Sequence, residues 1–213
     1  MKRSWSQFTN FPNCMSASRL DEFGARLLDF KKDGTFVDIG SAHPRESNNS
    51  HFLETQLGWR GLCVELDKTH AGTYEDRKNC TFLNEDATKV DYAKAFSEMN
   101  MPSSIDYLSI DVDGPYVEVA QALPHDAYRF KVIGIEHDAY LHGDKYRVPE
   151  REFFLSKGYV LACADIFVRH PEYDDCPYED WYLDPQYFVS DVIEKVKSFS
   201  CYGDEIIAKL EGK

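Results

Sequence analysis

Six carboxylates and one histidine hold most of the chemistry this sequence could perform: Asp38, Glu65, Asp86, Asp111, Asp113, Glu136 and His137. Each lies at or just past the end of a short, mostly apolar run. A single Asp in such a place often caps a helix or opens a turn, and Asp113-Gly114 reads as a turn. Acids repeated at the end of run after run point further. Neighbouring strands lie about 4.8 Å apart, so carboxylates at adjacent strand ends converge on one small molecule, as hydrogen-bond acceptors or as a general base.

The elements that must position these acids are legible in the pattern. Short apolar runs at Thr35–Ile39, Gly61–Glu65, Thr81–Asn84, Ile105–Asp111, Phe130–Glu136 and Tyr159–Phe167 read as strands buried on both faces. Helical stretches fall between them at His51–Leu57, Lys68–Arg77, Tyr92–Glu98, Tyr116–Leu123 and Pro149–Lys157. An earlier helix is expected over Ser18–Phe30, where Leu20, Phe23, Leu27 and Phe30 recur at helical spacing before Asp33-Gly34. Alternation of this kind implies an α/β, doubly wound, mostly parallel sheet with helices on both faces, and in that class ligands bind at the carboxyl ends of the strands. With no linker or repeat, the chain reads as one domain over 1–213: an N-terminal helical segment at 1–33, an acidic aromatic loop at 171–184 and C-terminal helices at 185–213.

Composition narrows the partners. With 24 Lys+Arg against 37 Asp+Glu, the net charge of −13 opposes binding to a polynucleotide backbone, so no nucleic acid is expected. The six cysteines show no zinc spacing and read as reduced thiols. No stretch approaches the roughly 20 apolar residues of a membrane span. The expectation is a cytoplasmic protein without a membrane partner; a homo-oligomer is compatible with the sequence.

An acid ending the second strand is placed to accept hydrogen bonds from the ribose of an adenosine cofactor, the role expected of Glu65. NAD and S-adenosylmethionine both carry that ribose. A pyrophosphate needs a G-x-G-x-x-G turn, whereas the loop after the first strand, Asp38-Ile39-Gly40-Ser41-Ala42-His43-Pro44, has one glycine. S-adenosylmethionine carries no phosphate and is the expected cofactor, with Asp38, Gly40, Ser41, Glu65, Asp86 and Asp111 as its binding residues.

Longer segments carry a resemblance. Phe36-Val37-Asp38-Ile39-Gly40, Asn49–Glu54, Leu57–Glu65, Ile105–Gly114, Ile133–His137 and Tyr178–Pro185 resemble, in order and over most of the chain, the FkbM-type S-adenosylmethionine-dependent methyltransferases of the Rossmann-like class. The resemblance implies O-methylation of small molecules, often sugars or glycosylated metabolites. The chain departs from that family at Ala42-His43-Pro44, where relatives have an Asn-Asp-Gly-like turn. Pro44 fixes φ and removes a donor, so this loop cannot copy the family's backbone contacts.

For methyl transfer to a hydroxyl, Asp111, Asp113, Glu136 and His137 form the expected acceptor-side cluster, with His137 or Asp111 taking the proton. A divalent cation such as Mg²⁺ on Asp111, Asp113 and Glu136 would serve the same end. Adjacent strand residues point to opposite faces, which separates Glu136 from His137 unless the strand end is irregular. Asp113 and Trp181 are the expected substrate contacts, with Trp181 as an aromatic wall for a sugar. Two other classes stay open, a nicotinamide-dependent oxidoreductase and a non-catalytic binding protein of the same fold.

Overall fold

The computed structural model describes residues 16–168, 176–197, 199 and 202–212. Its strands are β1 (Thr35–Ile39), β2 (Arg60–Glu65), β3 (Cys80–Asn84), β4 (Ser104–Ile110), β5 (Arg129–Glu136), β6 (Val160–Val168) and β7 (Cys176–Leu183). Its α-helices are α1 (Leu20–Leu27), α2 (His51–Leu57), α3 (Tyr92–Glu98), α4 (Tyr116–Ala122), α5 (Ala139–His142), α6 (Asp144–Ser156), α7 (Ser190–Lys197) and α8 (Gly203–Leu210), and Lys68–Asp76 winds as 3₁₀ turns.

The strands form one sheet in the order β3-β2-β1-β4-β5-β7-β6. β1 pairs in parallel with β2 and β4, β2 with β3, and β4 with β5; β7 runs antiparallel between β5 and β6. The winding reverses between β1 and β4, which makes their carboxyl ends the switch point where such folds open a crevice. Apolar layers cover both faces. One gathers Phe23, Phe52, Trp59, Trp181 and Ile206, the other Val37, Phe96, Tyr116, Phe154 and Tyr182. α1 lies so close to β5 that a Cβ at Gly134 would sit 2.1 Å from Leu20 Cδ2.

The doubly wound class and the six expected strands are all present, with ends shifted by no more than a residue. The segment 171–184 is a correction: residues 171–175 lie outside the described residues, and 176–183 form β7 rather than a loop. The acids there masked the strand, because Glu179 and Asp180 are both buried. The helix expected at Pro149–Lys157 is α6, which starts earlier, at Asp144, and carries Pro149 within it.

Candidate functional site

The carboxyl ends of β1 to β4 enclose a cleft of about 670 Å³ whose walls include Gly40, Glu65, Asp67, Glu85, Asp86, Asp111 and Asp113. Six of its lining residues are carboxylates and none is Lys, Arg or His. A second hollow of about 340 Å³ shares Gly40, Glu65, Asp67, Asp111 and Asp113 and continues past Ser18, Ala42, Asn49, His70 and Tyr178. His70 carried no signal in the sequence, because it sits on a polar 3₁₀ segment.

Glu65 ends β2 and ties the two flanking loops together. Its Oε2 accepts from Ala42 N–H at 2.8 Å and its Oε1 from Asp67 N–H at 2.7 Å. Each carboxylate oxygen has a second lone pair, so Glu65 keeps acceptor capacity toward the cleft. Gly40 has φ +77°, and a Cβ there would meet the Asp111 carbonyl oxygen at 1.6 Å. The close approach that demands glycine is therefore made by the chain's own backbone between β1 and β4. Gly40 and Ser41 N–H both donate to Val64 O, at 2.8 and 3.1 Å. With Ala42 N–H held by Glu65, these three donors of the loop are engaged, which leaves no cradle there for a pyrophosphate.

Two expected cofactor contacts are corrected. Ser41 is buried, and its hydroxyl accepts from Tyr74 Oη at 2.8 Å, away from both hollows. Asp38 is fully buried beneath the loop, where its Oδ2 accepts from Ser50 Oγ at 2.6 Å. Burial pushes Asp38 up to about 7, against the Ser50 hydrogen bond and the Arg77 charge. Arg77, also buried, donates to Pro44 O at 2.8 Å, Asn48 Oδ1 at 3.2 Å and Ser50 Oγ at 3.1 Å, and pairs with Glu54. This network supports the Ala42-His43-Pro44 loop from below. Asp86 does line the cleft, and hydrogen bonds from Lys89 and Thr88 hold it at about 2.

At the β4–β5 edge, Asp111 lines both hollows and its Oδ2 accepts from the Tyr178 hydroxyl at 3.0 Å. Glu136 is 5% exposed, and burial, followed by Asp111, Asp138 and Asp113 around it, drives its pKa far above the carboxylate range. Asp113 is exposed toward the cleft and is also raised, by partial burial and by Asp111 and Asp138. Asp138, which sequence reasoning missed, accepts from the Tyr116 hydroxyl at 3.0 Å. Strand parity could not have found it, because β5 ends at Glu136 and Asp138 is left-handed, with φ 45°.

His137 goes the other way. It is fully buried and lines neither hollow; its Nδ1 accepts from Ala139 N–H at 3.2 Å, and its Nε2 lies 3.4 Å from Asp180 Oδ1. The expected cluster thus keeps Asp111 and Asp113 on the cleft with Glu136 buried against them, and loses His137. The expected metal set changes too, because Glu136 and Asp113 converge with Asp138 rather than with Asp111. Trp181 is also corrected: it is fully buried, its ring 4.4 Å from that of Phe23 and its Nε1 donating to Glu179. It packs the core and forms no wall of the cleft.

No family model and no curated protein matches the chain. Solved structures do match. Among them are the precorrin-6y C5,15-methyltransferase of Geobacter metallireducens GS-15 (14% identity, 85% of this chain and 96% of that one, TM-score 0.53) and a Klebsiella pneumoniae protein assigned as an O-methyltransferase (12%, 84% and 92%, 0.52). A Clostridium thermocellum protein assigned as an rRNA methylase also matches (11%, 83% and 97%, 0.51). These likenesses show the fold alone, a Rossmann-like sheet that the chain shares with proteins named as methyltransferases. Their names differ in what they methylate, and fold alone does not choose among acceptors.

Proposed function

We propose that this chain is an S-adenosylmethionine-dependent O-methyltransferase whose acceptor is a small hydroxyl-bearing molecule of the sugar or glycosylated-metabolite class that its resemblance to FkbM-type enzymes implies. The observation that carries the reading is the cleft at the switch point, lined by six carboxylates and no cationic side chain. S-adenosylmethionine fits such a lining because its sulfonium and ammonium groups are positive and it has no phosphate. The occupied N–H groups of residues 40–42 count against a dinucleotide. The same lining, with the net charge of −13, disfavours RNA and other phosphate-bearing acceptors.

Bound S-adenosylmethionine would supply an electrophilic methyl group on a positive sulfur. The chain's own contribution is position and proton handling. Glu65 accepts from the ribose hydroxyls, with Gly40 and Asp86 bordering the same cleft. We assign the acceptor's proton to Asp111, whose carboxylate the Tyr178 hydroxyl holds in place and which borders both hollows. Asp113, exposed at the mouth, is the substrate contact retained from the sequence.

Calorimetric titration tests this. Wild type is expected to bind S-adenosylmethionine and not NAD, and Glu65→Ala to bind it at least about tenfold more weakly, the effect of removing a charged acceptor from two hydroxyls. S-adenosylhomocysteine, which lacks the sulfonium charge, should bind more weakly than S-adenosylmethionine, by a margin that shrinks as salt is added. A folded wild type that binds neither ligand would overturn the reading in favour of a non-catalytic protein of this fold.

A further inference from the structure

Two carboxylate oxygens at the β4–β5 edge are buried with no hydrogen-bond donor beside them. Glu136 Oε2 and Asp138 Oδ1 have no hydrogen-bond partner, and their residues are only 5% and 6% exposed. Buried carboxylate oxygens are costly to leave unpaired, so native structures seldom leave them so without an ion, water or ligand to fill the gap. Asp113 stands beside them and lines the cleft. One oxygen from each of Asp113, Glu136 and Asp138 can be chosen so that all lie within 4.8 Å of one another. Oxygens around a hard divalent cation at about 2.1–2.5 Å fall within such separations. Among the described residues, no Lys or Arg pairs with any of these carboxylates.

We infer that Asp113, Glu136 and Asp138 bind one divalent cation of the oxygen-seeking kind, Mg²⁺ or Mn²⁺. Asp111 is outside the set, its Oδ2 being held by Tyr178. The donor set, all carboxylate oxygen with no sulfur or imidazole, suits hard cations such as Mg²⁺ and Mn²⁺. With three protein ligands, coordination positions remain for water or for vicinal hydroxyls of an acceptor, whose acidity the cation would raise. That use rests on the methyl-transfer reading; the cation site itself does not.

The test therefore omits the cofactor. The full chain, stripped with chelator, is titrated with Mn²⁺ while free Mn²⁺ is followed by electron paramagnetic resonance, and Mg²⁺ is then added as competitor. One saturable site per chain is expected, displaced by Mg²⁺. Asp138→Asn and Glu136→Gln should each weaken it at least about tenfold. Asp113→Asn, at an exposed position, should weaken it as well. Asp165→Asn, in the neighbouring His137–Asp180 cluster, should leave it unchanged. No saturable binding to a cooperatively melting wild type would overturn the inference. So would binding that survives Asp138→Asn and Asp113→Asn, or that is lost in Asp165→Asn instead. Because no S-adenosylmethionine is present, failure here leaves the methyl-transfer reading standing, and failure of cofactor binding leaves the cation result intact.

Discussion

Glu136 and His137 adjoin in sequence, yet the groups around them differ in charge balance. On the His137 side, Asp165 and Asp180 face Arg147 and Arg151, with Arg151 Nε 2.5 Å from Asp180 Oδ2 and Arg147 Nη1 2.8 Å from Asp165 Oδ1. Negative charge there is met by positive charge. On the Glu136 side, Asp111, Asp113 and Asp138 gather with no Lys or Arg paired to them among the described residues, and two buried oxygens go unpartnered. Both groups offer three ligand atoms within 4.8 Å. Compensation, not clustering, separates a set of acids that holds the fold together from one left available for a ligand.

The comparison breaks most forcefully at Arg151. Arg151→Met strips Asp180, which is fully buried, of its guanidinium partner. Leaving a buried carboxylate uncompensated is expected to cost about 3 kcal/mol, read as a lower urea midpoint at neutral pH, while binding of S-adenosylmethionine is retained. A loss below about 1 kcal/mol, the range of an exposed pair, would mean that the His137 side is not held together by charge.

Much of this frame was legible in the sequence, and the illegible part has a physical cause. Apolar runs bounded by turn residues marked β1 to β6, because strands buried on both faces must be apolar. β7 was hidden by Glu179 and Asp180, acids whose burial depends on partners distant in sequence: Ser18 for Glu179 and Arg151 for Asp180. Parity warned that Glu136 and His137 diverge but did not say which acids each would meet. Asp38 and Ser41 looked like cofactor contacts because they adjoin Gly40. The sequence held no sign that Tyr74 and Arg77, more than thirty positions further on, draw that stretch into the floor.

Glu179 and Asp180 sharpen the comparison through pH. Burial pushes Glu179 up to about 8, against hydrogen bonds from Ser18 and Trp181. Asp180 is also penalised by burial, yet the hydrogen bonds and charge of Arg151, with His137 close by, outweigh it and leave Asp180 below its ordinary value. The signs are opposite. The stabilising contribution of Glu179 is complete below its ordinary value of 4.5 and is lost as pH rises through about 8. That of Asp180 is present above its ordinary value of 3.8 and is lost as pH falls through its lower folded value. Wild-type stability should therefore decline from mildly acidic to alkaline pH, and Glu179→Gln should flatten that decline without moving the acid limb. Urea midpoints across this range check it; an unchanged slope in Glu179→Gln would show that Glu179 ionises as freely folded as unfolded.

The smallest expected effect on stability is at Glu136. Glu136→Gln keeps nearly the same shape and removes a buried acid crowded by Asp111, Asp138 and Asp113 with no cation paired to it among the described residues. Stability at neutral pH should then change by no more than about 1 kcal/mol, in contrast to the loss at Arg151. Cation binding, which needs the ionised form, should fall in the same variant. A protein that keeps its urea midpoint and loses its cation would mark the Glu136 side as built for a ligand. A loss of several kcal/mol would instead make Glu136 a structural group like Asp180, and the difference between the two sides of the β5 end would vanish.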